Sequence, residues 1–255
     1  MQQYYDIIII GTGAGGRTIT YDLLLRSASE NYLQRLAFFA ALVGRNLVKR
    51  NTTNLYAIPA VKKETFFHKT LVINDFYFGS IGYVKPLRHK WAIMRESFLL
   101  WAPNSLLKVF ANLYVNWSMQ SEDLPNVENR VEIAKNKQIK VYYLSNNQKV
   151  HRRLRYQFEK ILRNARFPRT FGILMPLKIL NYQGGACRLG SDSTLNVLNV
   201  KCRSHDIDSL YVVDSSFFPS IGAMNPTLTI IANALRVAEH LKQRLNVNLD
   251  SRALV

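Results

Sequence analysis

Several features that mark particular protein classes are scarce in this sequence. It has only two cysteines, Cys187 and Cys202, whose spacing does not match a metal site. In a chain of 255 residues a disulfide is not needed for stability, so we expect reduced thiols. The apolar stretches are too short or too interrupted to span a bilayer, and the start lacks the features of a secretory signal. We therefore expect a cytoplasmic protein with no transmembrane segment and no metal centre.

Acidic residues are also scarce: 17 Asp and Glu against 34 Lys and Arg give a formal net charge of +17. Such a charge permits binding to anions, nucleic acids or membrane surfaces. The densest basic stretch is "HRRLRYQFEKILRNARFPR", His151–Arg169. Its apolar residues share one helical face, and these are Leu154, Phe158, Ile161 and Leu162. We favour an amphipathic helix packed on a core over a nucleic-acid-binding helix, and we expect no nucleic-acid partner.

The N-terminal stretch "YYDIIIIGTGAGGRT", Tyr4–Thr18, predicts a strand, a glycine turn and a helix. Ile7–Ile10 is an apolar β-branched run, as in a strand that is buried on both faces. The three glycines that follow match G-x-G-x-x-G, and they are Gly11, Gly13 and Gly16. Glycine at these positions allows a tight turn and lets the backbone approach a pyrophosphate. We favour a dinucleotide site over a plain glycine turn.

The second half of the expected dinucleotide-binding unit is missing. A complete unit has a second strand that ends in Asp or Glu about twenty residues past the glycines. Glu30 lies at that distance, but its surroundings "RSASENYLQRL" contain no β-branched run. The next apolar run, "LAFFAALVG" (Leu36–Gly44), predicts a helix. The first βα turn is therefore present, and the rest of the unit is not evident.

The middle of the chain predicts an antiparallel sheet with helices on one face. The predicted elements are a turn and candidate boundary at Asn51–Asn54, a strand over Thr70–Gly79, a broken helix over 97–119, a strand from Arg130 and a strand over Ile139–Leu144. This pattern differs from the parallel one expected beside Gly11.

The C-terminal quarter predicts a strand over Leu210–Val213 that ends in Asp214, then a loop, and then a long helix opened by Asn225 and Pro226. The predicted buried stripe of this helix consists of Leu228, Ile231, Leu235 and Ala238. A carboxylate at a strand end, beside a helix N-terminus, is a good place for a polar cofactor. The alternative is that Asp214 caps a local turn.

Four stretches together resemble the glucose–methanol–choline (GMC) oxidoreductases, flavoproteins that bind FAD and oxidise alcohols. They are "YDIIIIGTGAGG", "GACRLG", "CRSHDIDSLYVVDSSFFPS" and "MNPTLTIIANALRVAEHL". The stretches "TLVINDFYFGS", "PLRHKWAI" and "MQSEDLPNVENRV" resemble the family's substrate-binding domain. The resemblance implies an α/β fold with a Rossmann-like FAD domain split between residues 1–50 and 178–255. An α+β substrate domain with an antiparallel sheet, residues 51–177, is inserted between them.

The resemblance also implies a site for FAD and for a small-molecule alcohol. The residues that would bind the cofactor are Gly11, Thr12, Gly13, Ala14, Gly16, Asp214, Asn225, Pro226 and Thr227. The glycines would lie against the pyrophosphate, Asp214 near the ribityl and phosphate region, and Asn225–Thr227 against the flavin ring. The dipole of the helix would favour the anionic reduced flavin. Asn225 and Tyr182 are the candidate catalytic residues.

Two departures from the family pattern affect this expectation. About half of the FAD cradle is absent between Arg26 and Thr53, so we expect a truncated member with an incomplete FAD domain. Loss of interior strands exposes sheet edges and apolar surface, which either the "LAFFAALVG" segment or a second subunit would cover.

The second departure is Tyr182, which replaces the family's histidine. A phenol, with a pKa of about 10 against about 6.5 for imidazole, is a poor proton acceptor at neutral pH.

Tyr182 could donate a hydrogen bond to a bound oxygen, or it could be a neutral packing residue, which we favour.

Three hypotheses for the function of the protein remain. The first is an FAD-dependent oxidoreductase that acts on CH–OH groups by hydride transfer to the flavin. The second is an inactive remnant without flavin, and the third is a basic module that binds an anionic partner. Intact glycines favour the first hypothesis and the missing strand favours the second, so we expect a member of the family and favour the loss of its activity.

Overall fold

The computed structural model describes residues 42–61, 71–76, 82–87, 103–105, 109, 113–134, 136, 138–176 and 183–246. The elements are β1 (Arg50–Ile58), β2 (Tyr83–Leu87), β3 (Val115–Glu122), β4 (Arg130–Ile133), β5 (Ile139–Tyr142), α1 (Gln148–Asn164), β6 (Arg169–Leu174), a 3-10 helix (Ser215–Phe217) and α2 (Thr227–Arg244). The predicted glycine turn at 11–16 and Tyr182 lie outside the described residues.

The named strands form two antiparallel sheets. Four of them form one sheet in the order β2-β3-β1-β6, and β4 and β5 form a separate hairpin. The predicted antiparallel sheet of the middle region, including the hairpin strands at Arg130 and Ile139, is confirmed. The strand predicted over Thr70–Gly79 is reduced, in its described part, to one bridge between Ile73 and Val84. The parallel, split Rossmann arrangement stays a prediction, because its first strand lies outside the described residues.

Strand β1 is covered on both faces. Its alternate residues Leu55 and Ala57 lie in a core cluster with Val84, Met119 and residues of α1. On the opposite face Tyr56 stacks on Phe171 with ring centroids 4.7 Å apart. The turn predicted at Asn51–Asn54 is wrong, because these residues lie inside β1 and all four are buried. Their polarity indicated a surface loop, but their backbone groups pair in the sheet and their side chains are covered.

Helix α1 confirms the amphipathic reading of the basic stretch. His151, Leu154, Phe158 and Leu162 are its buried residues. The apolar ones pack on β1 and β3 in the cluster described above. Ile161 was predicted on this face and is instead 46% exposed. The helix also ends at Asn164, before the predicted Arg169, which begins β6.

The helix predicted over 97–119 is wrong from Val115 onward, where β3 begins. Val115, Trp117 and Met119 alternate with Asn116 and Ser118, and this period of two is the pattern of a strand. Earlier described residues of that segment, at Asn104, Ser105 and Val109, are helical. The apolar content of the segment led to the error, because short apolar runs do not distinguish a helix from a strand.

A second core lies under the C-terminal loops. It combines Leu47, Val131, Leu198, Phe217 and other buried residues with Val237 of α2. The strand predicted over Leu210–Val213 is wrong, since only an isolated bridge from Tyr211 to Arg203 is present there.

The stripe that was predicted as the buried face of α2 is also wrong. Leu228, Ile231 and Leu235 are 81%, 52% and 67% exposed, and Ala238 is exposed as well. A second apolar series at helical spacing, Ile230, Ala234, Val237 and Leu241, lies on the inner side instead, where Val237 is buried and Leu241 is partly buried. The helix is therefore apolar on two sides, and local spacing alone did not distinguish them.

Both cysteines are buried free thiols, and burial raises the pKa of the Cys187 thiol above its ordinary value. Within the part of the chain that the structure describes, no helix is long and apolar enough to cross a membrane.

Candidate functional site

The N-terminus of α2 is the centre of the candidate site. Pro226 is its N-cap residue, and the Ile230 N–H donates to the Pro226 carbonyl at 2.9 Å, so the predicted start of the helix is confirmed. Pro226 has no side-chain acceptor for the first N–H groups, and the first turn contains no acidic residue. The positive end of the helix dipole is therefore not neutralised by a carboxylate of that turn, and it favours a negatively charged group nearby.

A pocket of about 220 Å³ opens beside this helix start. It is lined by residues of the preceding loop and of the first turn, among them Phe218, Met224, Asn225, Pro226 and Thr229. Ligand pockets typically enclose about 300–1,000 Å³, so this one has room for a small molecule or a ring system and not for a whole dinucleotide.

The side-chain oxygen of Asn225 is oriented towards the sheet. Arg50 Nη1 donates to Asn225 Oδ1 at 3.3 Å, and the Tyr83 hydroxyl lies 3.4 Å from the same atom. A guanidinium has no acceptor, so the oxygen of the amide, and not its nitrogen, must face Arg50. The Nδ2 group is consequently on the other side of the planar amide. Asn225 is also one of the residues that line the pocket.

Arg50 lies between the sheet and the loop that carries Asn225. It is only 2% exposed, although it is an arginine. Its Nε donates to the Gly222 carbonyl at 3.1 Å, its Nη2 donates to the Met224 carbonyl, and its Nη1 donates to Gln120 Oε1 at 3.1 Å. The guanidinium is thus hydrogen-bonded to both the loop and strand β3.

Asp214 begins the 3-10 helix as its N-cap residue. Asp214 Oδ1 accepts from the Ser216 N–H at 2.8 Å and also from the Ser216 hydroxyl. The alternative reading, a carboxylate that caps a local turn, is therefore confirmed. The second oxygen, Oδ2, is buried and has no hydrogen-bond partner in the described residues. A buried acceptor of this kind is costly unless a donor reaches it, and a ligand hydroxyl would supply one.

The glycines of "GGACRLG" have packing roles. A Cβ at Gly185 would lie 2.1 Å from the Asn46 carbonyl oxygen, and its φ of +86° favours glycine. A Cβ at Gly184 would lie 2.7 Å from the Ser215 carbonyl oxygen. This stretch is therefore in close contact with the loop that holds Asp214.

The structure brings together some of the predicted site residues. Asn225 and Pro226 share the pocket with Phe218, the C-cap residue of the 3-10 helix that Asp214 begins, and Thr227 is the first residue of α2. The cofactor residues predicted at Gly11, Thr12, Gly13, Ala14 and Gly16 lie outside the described residues, as does Tyr182. His205, which was not assigned a role, contacts the Gly190 carbonyl oxygen through Nε2 at 3.1 Å.

Sequence reasoning missed Arg50, Tyr83 and Gln120. These residues come from three strands, and no local pattern marks them. Their only signal in the sequence is an arginine that precedes the polar run Asn51–Asn54. Among the described residues, no group of three or more His, Cys, Asp or Glu side chains could hold a metal ion.

Comparison with known sequences identifies the segment that contains this site. Residues 178–234, which include Asp214, Asn225 and most of the first half of α2, match the GMC oxidoreductase family. This C-terminal segment belongs to the GMC oxidoreductase family. The resemblance of the C-terminal motifs is thereby confirmed.

Two curated oxidases are similar to this chain over short segments. The 6'''-hydroxyparomomycin C oxidase of Streptomyces lividus is 44% identical over 61 residues, which are 24% of this chain and 11% of the oxidase. The paromamine 6'-oxidase of Streptomyces fradiae is 47% identical over 55 residues, which are 22% of this chain and 10% of that oxidase. Each match spans about a tenth of the relative's length.

A solved structure of the formate oxidase from Aspergillus oryzae RIB40 shares the fold. It superposes with a TM-score of 0.51 at 11% sequence identity, over 79% of this chain and 47% of the formate oxidase. That structure concerns the effect of a mutation on FAD modification in the formate oxidase. The likeness shows a common fold, and this chain covers about half of the formate oxidase.

Proposed function

We propose that the pocket at the start of α2 is the flavin- and alcohol-facing site of an FAD-dependent oxidoreductase that acts on CH–OH groups. The observation that carries the proposal is the orientation of Asn225. Its oxygen is hydrogen-bonded to Arg50, so its N–H groups are available to an oxygen atom in the pocket. A hydroxyl or alkoxide oxygen matches that donor.

The described residues fit part of FAD. Asp214 Oδ2 is a buried acceptor without a partner among them, which suits a hydroxyl of the cofactor. The start of α2 offers a positive dipole end without an acidic residue in its first turn, which suits an anionic ring. The FAD domain would comprise 1–50 and 178–255, with 51–177 as the substrate domain, and Gly11, Gly13 and Gly16 would lie against the pyrophosphate.

When bound, FAD would supply the acceptor for the hydride of the alcohol. The residues of this chain would then have separate tasks. Asn225 would hold the alcohol oxygen, and the α2 N-terminus would stabilise negative charge. The proton of the alcohol needs an acceptor, and Tyr182 is a poor one because its hydroxyl is neutral at pH 7. We therefore propose slow or impaired turnover.

The second candidate is a member of the family that has lost both flavin and activity. Tyr182 at the histidine position and the missing acid-bearing strand favour it. The third hypothesis, an anion-binding module, rests only on the net charge of +17 and on the basic helix predicted over Arg152–Arg169.

A titration of the purified protein with FAD tests the proposal. We expect the visible flavin spectrum to remain with the protein through gel filtration. Asp214→Asn keeps the capping oxygen but places an N–H where Oδ2 lies, so it should raise the Kd for FAD roughly tenfold or more.

Asp192→Asn is the matched control for this experiment. Asp192 Oδ1 accepts from the Thr194 N–H and hydroxyl, as Asp214 does from Ser216, but Asp192 is exposed. The control should bind FAD as the wild type does. A wild-type protein that takes up no FAD would overturn the proposal and favour the flavin-free remnant.

A further inference from the structure

We infer that Arg50 is a positioning residue: it holds the loop 222–225 against the sheet and turns the amide of Asn225 so that Nδ2 faces the pocket. The loop-holding part rests on contacts of the described residues alone, whereas the role of Nδ2 toward a ligand rests on the proposed function. The ligand group that this orientation selects is an oxygen acceptor, such as a hydroxyl, an alkoxide or a carbonyl.

The sheet register places the required side chains on one face. Arg50 pairs with Glu122 across β1 and β3, and Tyr83 pairs with Gln120 across β2 and β3. Because directly opposite residues and those two apart point to the same side, all four share a face. That face is opposite to the one covered by α1, which contacts Leu55 and its neighbours.

Gly222 is held through both of its backbone groups. Its carbonyl accepts from Arg50 Nε at 3.1 Å, and its N–H donates to Glu122 Oε1 at 3.0 Å. Its φ of +62° is in the left-handed region, where glycine is favoured. Arg50 and Glu122 are cross-strand partners, and between them they bond the carbonyl and the N–H of Gly222, which fixes the start of the loop.

Arg50 then reaches the end of the same loop. Its Nη2 donates to the Met224 carbonyl and its Nη1 to Asn225 Oδ1. Only a planar guanidinium with several fixed donors can contact Gly222, Met224 and Asn225 at once. A lysine ammonium is a single point charge on a flexible stem, so it cannot reproduce this set.

The Tyr83 hydroxyl completes the arrangement. It donates to Gln120 Oε1 at 2.6 Å, and this same oxygen accepts from Arg50 Nη1 at 3.1 Å. Gln120 therefore fixes the arginine fork and the tyrosine relative to each other. The amide of Asn225 therefore meets donors whose positions are already fixed. We expect only the orientation in which Oδ1 faces Arg50, and not the flipped one.

Hydrogen exchange of the protein without added FAD, followed by mass spectrometry, tests the loop-holding role. We expect the Gly222 amide of the wild type to be protected, because its N–H donates to Glu122 Oε1. In Arg50→Lys this amide should exchange at least about tenfold faster, because the loop loses its bonds to Arg50, while peptides from β3 and α1 are unchanged.

Arg130→Lys is the control, because Arg130 also donates to a side-chain oxygen and to a backbone carbonyl, but on β4 and at Glu132 and Glu128. Equal protection of the Gly222 amide in Arg50→Lys and Arg130→Lys would overturn the inference. If Arg50→Lys does not fold, an unprotected Gly222 amide in the wild type would overturn it.

FAD titration of the same variants separates this inference from the proposed function. Arg50→Lys should raise the Kd for FAD about tenfold relative to Arg130→Lys, because Asn225 and the start of α2 lose their support. If the wild type binds no FAD while the Gly222 amide exchanges faster in Arg50→Lys, the proposed function is overturned and the loop-holding role stands. If Arg50→Lys shows faster exchange at Gly222 but binds FAD as the wild type does, the role of Nδ2 is overturned.

Discussion

His151 is buried on the face of the sheet that α1 covers, and both of its ring nitrogens are paired. Nε2 lies 2.7 Å from the Thr53 hydroxyl and Nδ1 lies 2.7 Å from the Ser121 hydroxyl. Burial, and then the charge of Arg155, lowers the pKa of His151 to about 4, and Asp123 opposes this only in part. The imidazole and its Ser121 neighbour are covered by protein, so they are structural and not a catalytic pair.

We expect a dependence of stability on pH from His151. Its pKa is lower in the folded state than the ordinary 6.5, so the unfolded state binds the proton more tightly. The contribution of neutral His151 is complete above pH 6.5 and is lost as the pH falls from 6.5 towards 4. The difference should reach about 2 kcal/mol by pH 5.

Urea unfolding of the wild type and of His151→Gln from pH 7.5 to 4.5 measures this effect. The variant should be less stable at pH 7 and should lose less stability on acidification. His205→Gln, which removes a half-buried histidine on a loop, is the control and should keep the wild-type pH profile. Identical profiles for His151→Gln and wild type would show that another group titrates.

Helix α1 ends in a Schellman motif without glycine. The Phe167 N–H donates to the Leu162 carbonyl at 2.9 Å and the Arg166 N–H to the Arg163 carbonyl at 3.1 Å. Arg166 occupies the left-handed position with φ +65°, where glycine is usual. Pro168 follows directly, so the chain leaves the helix before the basic pattern of the sequence ends.

Arg166→Gly should stabilise the protein by about 0.5–1 kcal/mol, because it relieves the left-handed conformation without loss of a side-chain contact in the core. Arg163→Gly, in the last helical turn, should destabilise it by about 0.5–1 kcal/mol. Opposite signs in urea unfolding are the expected result. A loss of stability in both variants would mean that Arg166 makes a favourable contact that outweighs its strain.

The two apolar sides of α2 have different surroundings. Val237 and Leu241 belong to the C-terminal core, whereas Leu228, Ile231 and Leu235 are exposed. A helix with a second apolar side that stays exposed offers a contact surface. A second copy of the chain would cover this side.

We therefore expect self-association through this side of α2. Leu228→Gln with Leu235→Gln should lower the mass measured by sedimentation and should change the free energy of unfolding of the monomer little, because both side chains are more than half exposed. Lys149→Gln with Lys160→Gln, which change exposed residues of α1, should leave association unchanged. Equal masses for the wild type and the apolar double variant would exclude this side of α2 as the contact.

Features that depend on neighbouring residues in the sequence could be predicted, and features that depend on distant segments could not. The start of α2 was predicted, because a proline at a helix start acts through its own backbone. The hairpin β4–β5 and the amphipathic α1 were predicted for the same reason. The buried run Asn51–Asn54 was mistaken for a turn, since its polar groups find partners on strands and helices that are distant in the sequence.

The candidate site divides in the same way. Asp214 and Asn225 were predicted because they belong to short motifs that resemble the GMC family, and both lie within the matched residues 178–234. The orientation of the Asn225 amide was not predictable, because it depends on Arg50, 175 positions away. Local residue order determined the motifs, the helix start and the hairpin. Only the tertiary structure decided which side of α2 is buried and which arginine faces Asn225, because both depend on register and packing between distant segments.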